Sequence, residues 1–310
     1  MSRIKTVFIV GPTASGKTGL GISLASIFSG EIVSADSMQI YKGIHIASAA
    51  PDKAEMQGIP HHLLEFLDTN CPFSVADYVK LARECIDDIQ GRGKLPIVVG
   101  GTGLYISSLL DNTAYLEEKT DPDLRKELEK QFDTLGAEEM LKKLSEFDPD
   151  TAKRLHPNDR RRIIRAFEVF RTTGKTITEQ NELSHLNESQ IDPLVIGITY
   201  EDRQRLYDRI NKRVDIMIEN GLLDEAQKAY RESAVKGGFQ AIGHKELFGY
   251  IKGTATLEEA TELLKMQTRR YAKRQLTWFR KDQRINWIYA DIEGNSCEKA
   301  CQIVQNFVKE

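Results

Sequence analysis

Cysteine is scarce in this chain: four in 310 residues, at positions 71, 85, 297 and 301. That density excludes a disulfide-stapled scaffold, and no Cys-x-x-Cys pair offers the usual zinc or redox pattern. Cys297 and Cys301 stand one helical turn apart, but no second His or Cys pair lies nearby to complete a tetrahedral metal site. Long apolar runs are missing too, so no segment reads as a membrane span. Met1-Ser2-Arg3-Ile4-Lys5 leads straight into a strand-like run with no space for a secretion signal, and a cytoplasmic protein is expected. Internal repeats and low-complexity stretches are absent, which removes solenoids and flexible tails from consideration. An excess of one charge is absent as well, since the formal net charge is −3. General stickiness toward polyanions is therefore excluded.

The near-balance conceals segregation. From Lys153 to Lys175 eight Lys/Arg face two acids, and from Arg269 to Arg284 seven face one. From Tyr115 to Asp150, twelve acids outnumber six bases. Basic stripes on a mildly acidic chain point to contact with a polyanion at chosen places.

The most informative stretch is Gly11-Pro12-Thr13-Ala14-Ser15-Gly16-Lys17-Thr18. It fits the phosphate-loop pattern, two glycines four residues apart followed by Lys and a hydroxyl residue. Val7-Phe8-Ile9-Val10 before it reads as a buried parallel strand, and Leu20, Leu24, Ile27 and Phe28 after it recur at helical spacing. Glycines let backbone N–H groups curl around phosphate oxygens, and the helix N-terminus adds positive potential. Lys17 would pair with terminal phosphates, and the Thr18 hydroxyl suits Mg²⁺.

A second strand at 31–35 ends at Asp36, followed by Ser37-Met38-Gln39. Ligands of open α/β sheets lie beyond the carboxyl ends of the strands, so Asp36 should face the phosphate loop as a general base or a group near the metal. Residues 43–73 look irregular, and for the His61-His62 pair within them no catalysis is expected. Ser74 can cap a helix with Val75, Tyr78, Val79, Ala82, Ile86 and Ile89 on its apolar face. The next strand, 95–99, runs into Gly100-Gly101-Thr102, where nucleotide hydrolases of this kind commonly place an Asp. That substitution argues against ATP hydrolysis.

From about 111 to 189 the strand–helix alternation gives way to helical periodicity with one basic helix, carrying Arg160, Arg161, Arg162 and Arg165. Basic residues near a helix N-terminus oppose its dipole, which suggests a bound anion. Strand pattern resumes at 193–198, followed by a helix carrying Arg209 and Arg213 on one face, able to reach a second phosphate. A long helix near 257–281 interleaves Arg with Tyr271, Trp278 and Phe279, a composition suited to phosphate contact and base stacking, although Trp278 reads equally as core. The expected fold is α/β, a phosphate-loop NTPase-like parallel sheet flanked by helices. The core is expected at 1–112 and 190–310, with an all-helical insertion at 113–189.

Taken together these segments resemble the bacterial tRNA dimethylallyltransferase (isopentenylpyrophosphate transferase) family nearly end to end. The matching pieces are GPTASGKT at 11–18, SADSMQIYKGI at 34–44, PHHLLE at 60–65, VVGGTGLYI at 98–106, HPNDRRRIIRAFEV at 156–169, GLLDEA at 221–226, AIGHKE at 241–246 and YAKRQLTWFRK at 271–281. The resemblance implies transfer of a dimethylallyl group from dimethylallyl pyrophosphate to the exocyclic amine of the adenine 3′ of a tRNA anticodon. The phosphate loop, residues Gly11 to Thr18, would then hold a pyrophosphate leaving group with Lys17, Arg213 and Mg²⁺ on Thr18. Asp36 matches the general base, and Thr102 a residue that positions the amine. The carried-over tRNA contacts are Asp36, Ser37, Met38, Gln39, Thr102, Arg125, Arg161, Arg162, Ile163, Ile164, Arg165, His244, Lys245, Lys273, Arg274, Gln275, Thr277, Trp278 and Arg280. The insertion would grip the anticodon stem-loop, with a monomer as the default.

Three departures from the family pattern stand out. Arg161 replaces a usual Gln, His244 a usual Tyr, and the segment Ile46-Ala47-Ser48-Ala49-Ala50-Pro51 lacks the usual Gly-Thr-Ala-Lys. An adenylate dimethylallyltransferase and a phosphate-loop kinase are the alternatives.

Overall fold

The computed structural model describes residues 3–113, 115, 121–186, 189–231, 241–292, 294 and 296–309. In chain order the elements are β1 (Ile4–Val10), α1 (Lys17–Ile27), β2 (Gly30–Ser34), α2 (His45–Ser48), β3 (His61–His62), α3 (Val75–Gly91), β4 (Leu95–Gly100) and α4 (Gly103–Leu110). Next come α5 (Pro122–Ser145), α6 (Pro149–Arg154), α7 (Arg160–Thr173) and α8 (Ile177–Leu186). The chain then returns through β5 (Ile191–Thr199), α9 (Arg203–Glu219), α10 (Leu222–Arg231), α11 (His244–Ile251), α12 (Leu257–Phe279), β6 (Ile285–Tyr289) and α13 (Ser296–Lys309). It divides into two compact units, Met1–Leu110 with Gln190–Glu310, and Asp111–Ser189.

The first unit is built on one sheet in the order β3-β2-β4-β1-β5-β6, every neighbouring pair parallel. Such a sheet is covered on both faces, which explains why β1 and β4 are continuous apolar runs. Strand alternation sends Val7, Ile9, Ile97, Val99, Ile196 and Ile198 into a core with Leu20 and Leu24 of α1 and Ala300 and Val304 of α13. Phe8, Val33, Val98 and Val195 take the opposite face and are equally buried. α3 begins with a complete capping box: Ser74 Oγ accepts from the Asp77 amide, and the Asp77 carboxylate accepts from the Ser74 amide. An N-cap of this kind contributes about 1 kcal/mol.

Within the segment expected to be irregular, β3 pairs with β2 at the sheet edge. The two histidines need no catalytic role to be explained. His62 Nε2 meets Glu31 Oε2 at 2.8 Å, and His61 Nδ1 meets the Ile59 carbonyl at 2.8 Å. Arg92 also pairs with Glu31, and that hydrogen bond, opposed by burial and joined by His62, holds the Glu31 carboxyl down to about 2.

The second unit is all-helical. α5 is broken at Gly136, whose φ of 79° is a left-handed value that suits glycine. The break lets Leu128 and Phe132 before it and Met140 and Leu144 after it turn into one core with Ile163, Ile164 and Phe167 of α7. No helix among the described residues is long and apolar enough to cross a membrane.

Candidate functional site

The carboxyl ends of β1, β2 and β4 converge on a cavity of 330 Å³, lined among others by Thr13, Lys17, Thr18, Asp36, Gly101 and Arg213. Several of the sequence-derived candidates therefore share one wall. The loop after β1 adopts its shape through backbone that only small residues tolerate. Gly16 has φ 101°, and a Cβ on Gly11 would sit 2.2 Å from the Ile198 carbonyl oxygen. The Lys17 ammonium is enclosed and donates to the Pro12 carbonyl at 2.6 Å. Burial, then repulsion from Arg213, lowers its pKa to about 7, with Asp36 pulling the other way. Arg213 is likewise lowered by burial against the attraction of Asp36. Neither cation has a carboxylate within ion-pair distance among the described residues. Two neighbouring half-buried cations without an ion-pair partner repel one another until an anion arrives, so the site is electrostatically prepared for one.

A second cavity, of 580 Å³, shares Lys17, Thr18 and Arg213 with the first and adds Arg209 and Lys212. Arg209 lines this second cavity and is anchored through one nitrogen. Its Nε donates to the Ala14 carbonyl at 3.0 Å and its face lies over Tyr200. It braces the phosphate loop from outside.

In the same cavity Asp36 Oδ1 accepts from the Met38 amide at 2.9 Å, which fixes the carboxylate at the tip of β2. Thr102 Oγ1 accepts from the Ser37 amide at 2.9 Å, and the Thr102 amide donates to the Ala35 carbonyl at 3.1 Å. The tips of β2 and β4 are thus laced together next to Asp36. The close approach also explains Gly100: a Cβ there would fall 2.1 Å from the Ala35 carbonyl oxygen. At Gly101 it would fall 2.3 Å from Gln275 Nε2. Gly100 cannot hold the aspartate that a nucleotide hydrolase would need, and a side chain at Gly101 would displace the Gln275 amide.

Several expected tRNA contacts are corrected by the structure. Ile163 and Ile164 are 0% and 1% exposed, because they lie on the face of α7 that packs into the helical core. Their side chains cannot meet a ligand. His244 is 0% exposed, with Nε2 2.8 Å from Glu225 Oε1. Its side chain is a buried bracket. Gln275 is 5% exposed and holds the phosphate loop, with Oε1 accepting from the Thr13 amide at 2.8 Å. The Gln39 amide is also taken up internally, by Ser34 and the carbonyls of Ser48 and Ala49. Arg125 and Arg165 pair with carboxylates, Arg125 with Glu168 at 3.0 Å and Glu129 at 3.2 Å and Arg165 with Glu168 at 3.8 Å, but their side chains stay 41% and 49% exposed and the expected contacts stand. Trp278 is not core: it is 40% exposed, lies over Gly103 and donates to Ser107 Oγ at 2.9 Å.

The remaining candidates are available. Lys245 and Arg274 line the first cavity together with Ser37 and Met38. Lys273, Thr277 and Arg280 are exposed on α12, and Arg161 and Arg162 are exposed on α7.

The surroundings of two groups are not legible in the sequence. Tyr271 lines the first cavity, and burial, then the nearby Asp36 carboxylate, pushes its phenol well above the usual range. Glu225 accepts from the amides of Ile46 and Ala47 at 2.8 and 3.0 Å. Burial alone would raise its carboxyl, but the His244 and backbone hydrogen bonds prevail and hold it below the usual range. Spacing could have pointed to Tyr271, four residues before Gln275 on the inward face of α12. Nothing in the sequence joins Glu225 to residues 46 and 47.

Comparison with known proteins agrees with this geometry. The family model described as IPP transferase matches residues 39–282, and one described as isopentenyl transferase matches residues 4–68. A tRNA dimethylallyltransferase of Caldanaerobacter subterraneus is 47% identical over 93% of this chain and 92% of its own. That of Bacillus subtilis is 47% identical over 91% and 89%. Among solved structures, the tRNA isopentenylpyrophosphate transferase of Bacillus halodurans superposes with TM-score 0.73 at 42% identity, covering 98% of this chain and 97% of that one. A eukaryotic dimethylallyltransferase, studied acting on tRNA, gives TM-score 0.84 at 31% identity over 99% and 80%. The sheet order, the phosphate loop, the glycine tip of β4 and these matches along almost the whole length place this chain in the IPP transferase family.

Proposed function

We propose that this chain transfers a dimethylallyl group from dimethylallyl pyrophosphate to the N6 amine of the adenine 3′-adjacent to the anticodon of tRNA. The observation that carries the reading is the pairing of Lys17 and Arg213, enclosed without carboxylate partners, with Asp36 in the same cavity. The cations suit a diphosphate leaving group, and the carboxylate in the same cavity suits a proton acceptor. The C1–O bond of the donor breaks, the N6–C1 bond forms, the amine proton goes to Asp36, and pyrophosphate departs held by Lys17 and Arg213.

Adenine's amine is a poor nucleophile because its lone pair is delocalised into the ring. It must also leave the base stack to reach a cavity of this kind. Thr102, tied to the Ser37 amide, would orient it. No cluster of three or more carboxylate, His or Cys side chains capable of holding a metal exists among the described residues. The Thr18 hydroxyl, which lines the cavity beside Lys17, would hold a Mg²⁺ ion that offsets the leaving group's charge. The exposed Lys273, Arg274 and Arg280 on α12 supply phosphate contacts, and Trp278 a stacking surface. The chain acts as a cytoplasmic monomer in this reading.

Incubation with labelled dimethylallyl pyrophosphate and tRNA, AMP or no acceptor tests it. Label in tRNA is expected, with none in AMP. Label in AMP alone, or phosphate release from ATP, would replace it with the adenylate or kinase alternative. Asp36→Asn is expected to lower transfer at least about 100-fold with tRNA still bound.

A further inference from the structure

α12 has two faces. Lys273, Arg274, Thr277 and Arg280 are exposed, while Ala272, Gln275 and Phe279 are buried. A buried glutamine must satisfy both ends of its amide, and Gln275 does so by bridging two separate parts of the site. Its Oε1 accepts from the Thr13 amide in the phosphate loop at 2.8 Å. Its Nε2 donates to the Gly101 carbonyl, beyond the end of β4, at 2.9 Å. An N–H faces the oxygen and a carbonyl faces the nitrogen, so the two partners together demand an amide. A carboxylate would set oxygen against oxygen at Gly101, and a shorter amide could not span both.

The two anchors belong to opposite partners in the proposed reaction. Thr13 is part of the loop that would hold the diphosphate. Gly101 precedes Thr102, whose hydroxyl is tied to Ser37 next to Asp36. Tyr271, one turn before Gln275 on α12, lines the same cavity. Gln275 therefore links the electrophile's cradle at Thr13 to Gly101, the residue before the Thr102 that is tied to Ser37.

We infer that Gln275 is a positioning residue that sets the spacing between the diphosphate cradle and the amine-orienting tip at Thr102. This rests on the transferase reading above. In-line displacement needs the reacting atoms about 3–3.5 Å apart with their axis aligned, and a shift near 1 Å can cost about 100-fold. Each half of the site can still bind its own ligand when the strut is removed. The damage should therefore fall on turnover.

Gln275→Met keeps length and volume while removing both hydrogen bonds, and Gln275→Glu keeps the acceptor for Thr13 while opposing Gly101. Both variants would be assayed for kcat and KM of labelled transfer to tRNA, with pyrophosphate affinity measured by calorimetry and folding checked by thermal melting. For both we expect kcat at least about tenfold down, with pyrophosphate affinity and the tRNA KM within about threefold of wild type. If the Met variant fails to fold, Gln275→Glu decides by the same readouts. Unchanged kcat would overturn the inference. So would a parallel fall in kcat and pyrophosphate affinity, which would reduce Gln275 to a prop for the loop. Failure of the wild type to label tRNA would instead overturn the transferase reading itself.

Discussion

Two regions of this protein are rich in cations, and they treat them in opposite ways. In the sheet unit, Lys17 and Arg213 are enclosed side by side without a carboxylate in ion-pair contact among the described residues, and burial lowers both pKa values. In the helical unit, part of the basic run is neutralised at home, Arg160 by Asp133, Arg171 by Glu127 and Arg165 by Glu168, and outside the run Arg125 also pairs with Glu168. A basic stripe in sequence counts charges without showing their partners. Anion binding is better read from cations held at an electrostatic cost than from their density.

The contrast breaks most visibly at the enclosed pair. Lys17→Ala and Arg213→Ala should each lower kcat/KM for transfer by about 100- to 1,000-fold, the usual cost of removing a preorganised donor to developing negative charge. Transfer within tenfold of wild type in either variant would show that the diphosphate lies elsewhere.

Acidity sharpens the same comparison. Lys17 titrates near 7 in the free protein, while a bound diphosphate favours its ammonium form and raises that value. Below pH 7 the lysine is already charged, so binding costs no protonation. Above pH 7 it must gain a proton on binding, and affinity should fall by up to about tenfold per pH unit. Calorimetry at pH 8 in buffers of different ionisation enthalpy should show a proton taken up that is missing in Lys17→Met. Equal uptake in both proteins would assign the proton to another group.

Much of the sheet unit was legible because its signals are local. The runs at 7–10 and 95–99, the two glycines of the loop and the Ser74 cap each specify their own conformation. The phosphate side of the site followed from a motif whose backbone requirements are met within eight residues. What could not be read is what depends on distant partners. His244 looked like an available imidazole in a surface motif, but Glu225 and the packing of α11 enclose it. Ile163 and Ile164 sit inside a basic run, but the turn of α7 sends them inward while Arg161 and Arg162 face solvent. Trp278 erred the other way, since its pattern suits a core and only Ser107 and Gly103 show that it lies flat on the surface.

The smallest effects are expected in the helical unit, where they separate paired from unpaired arginines. Arg125→Ala leaves Glu168, 11% exposed, without its strongest partner, and should lower the unfolding free energy by about 1 kcal/mol. Arg160→Ala removes an exposed pair with Asp133 together with a hydrogen bond to the Glu129 carbonyl and the cation over Phe132, and should lower the melting temperature slightly. Arg161→Ala and Arg162→Ala disturb no side-chain hydrogen bond or ion pair among the described residues, so stability should not move. Their effect should appear in tRNA affinity against salt: removing one arginine–phosphate pair lowers the slope of log K on log salt by about 0.7 to 0.9. Arg160→Ala should leave that slope alone, because its guanidinium is already committed to Asp133. A slope that falls equally for Arg160, Arg161 and Arg162 would mean that the Asp133 pair opens when tRNA binds. The helical unit would then hold its cations as available to an anion as the sheet unit does.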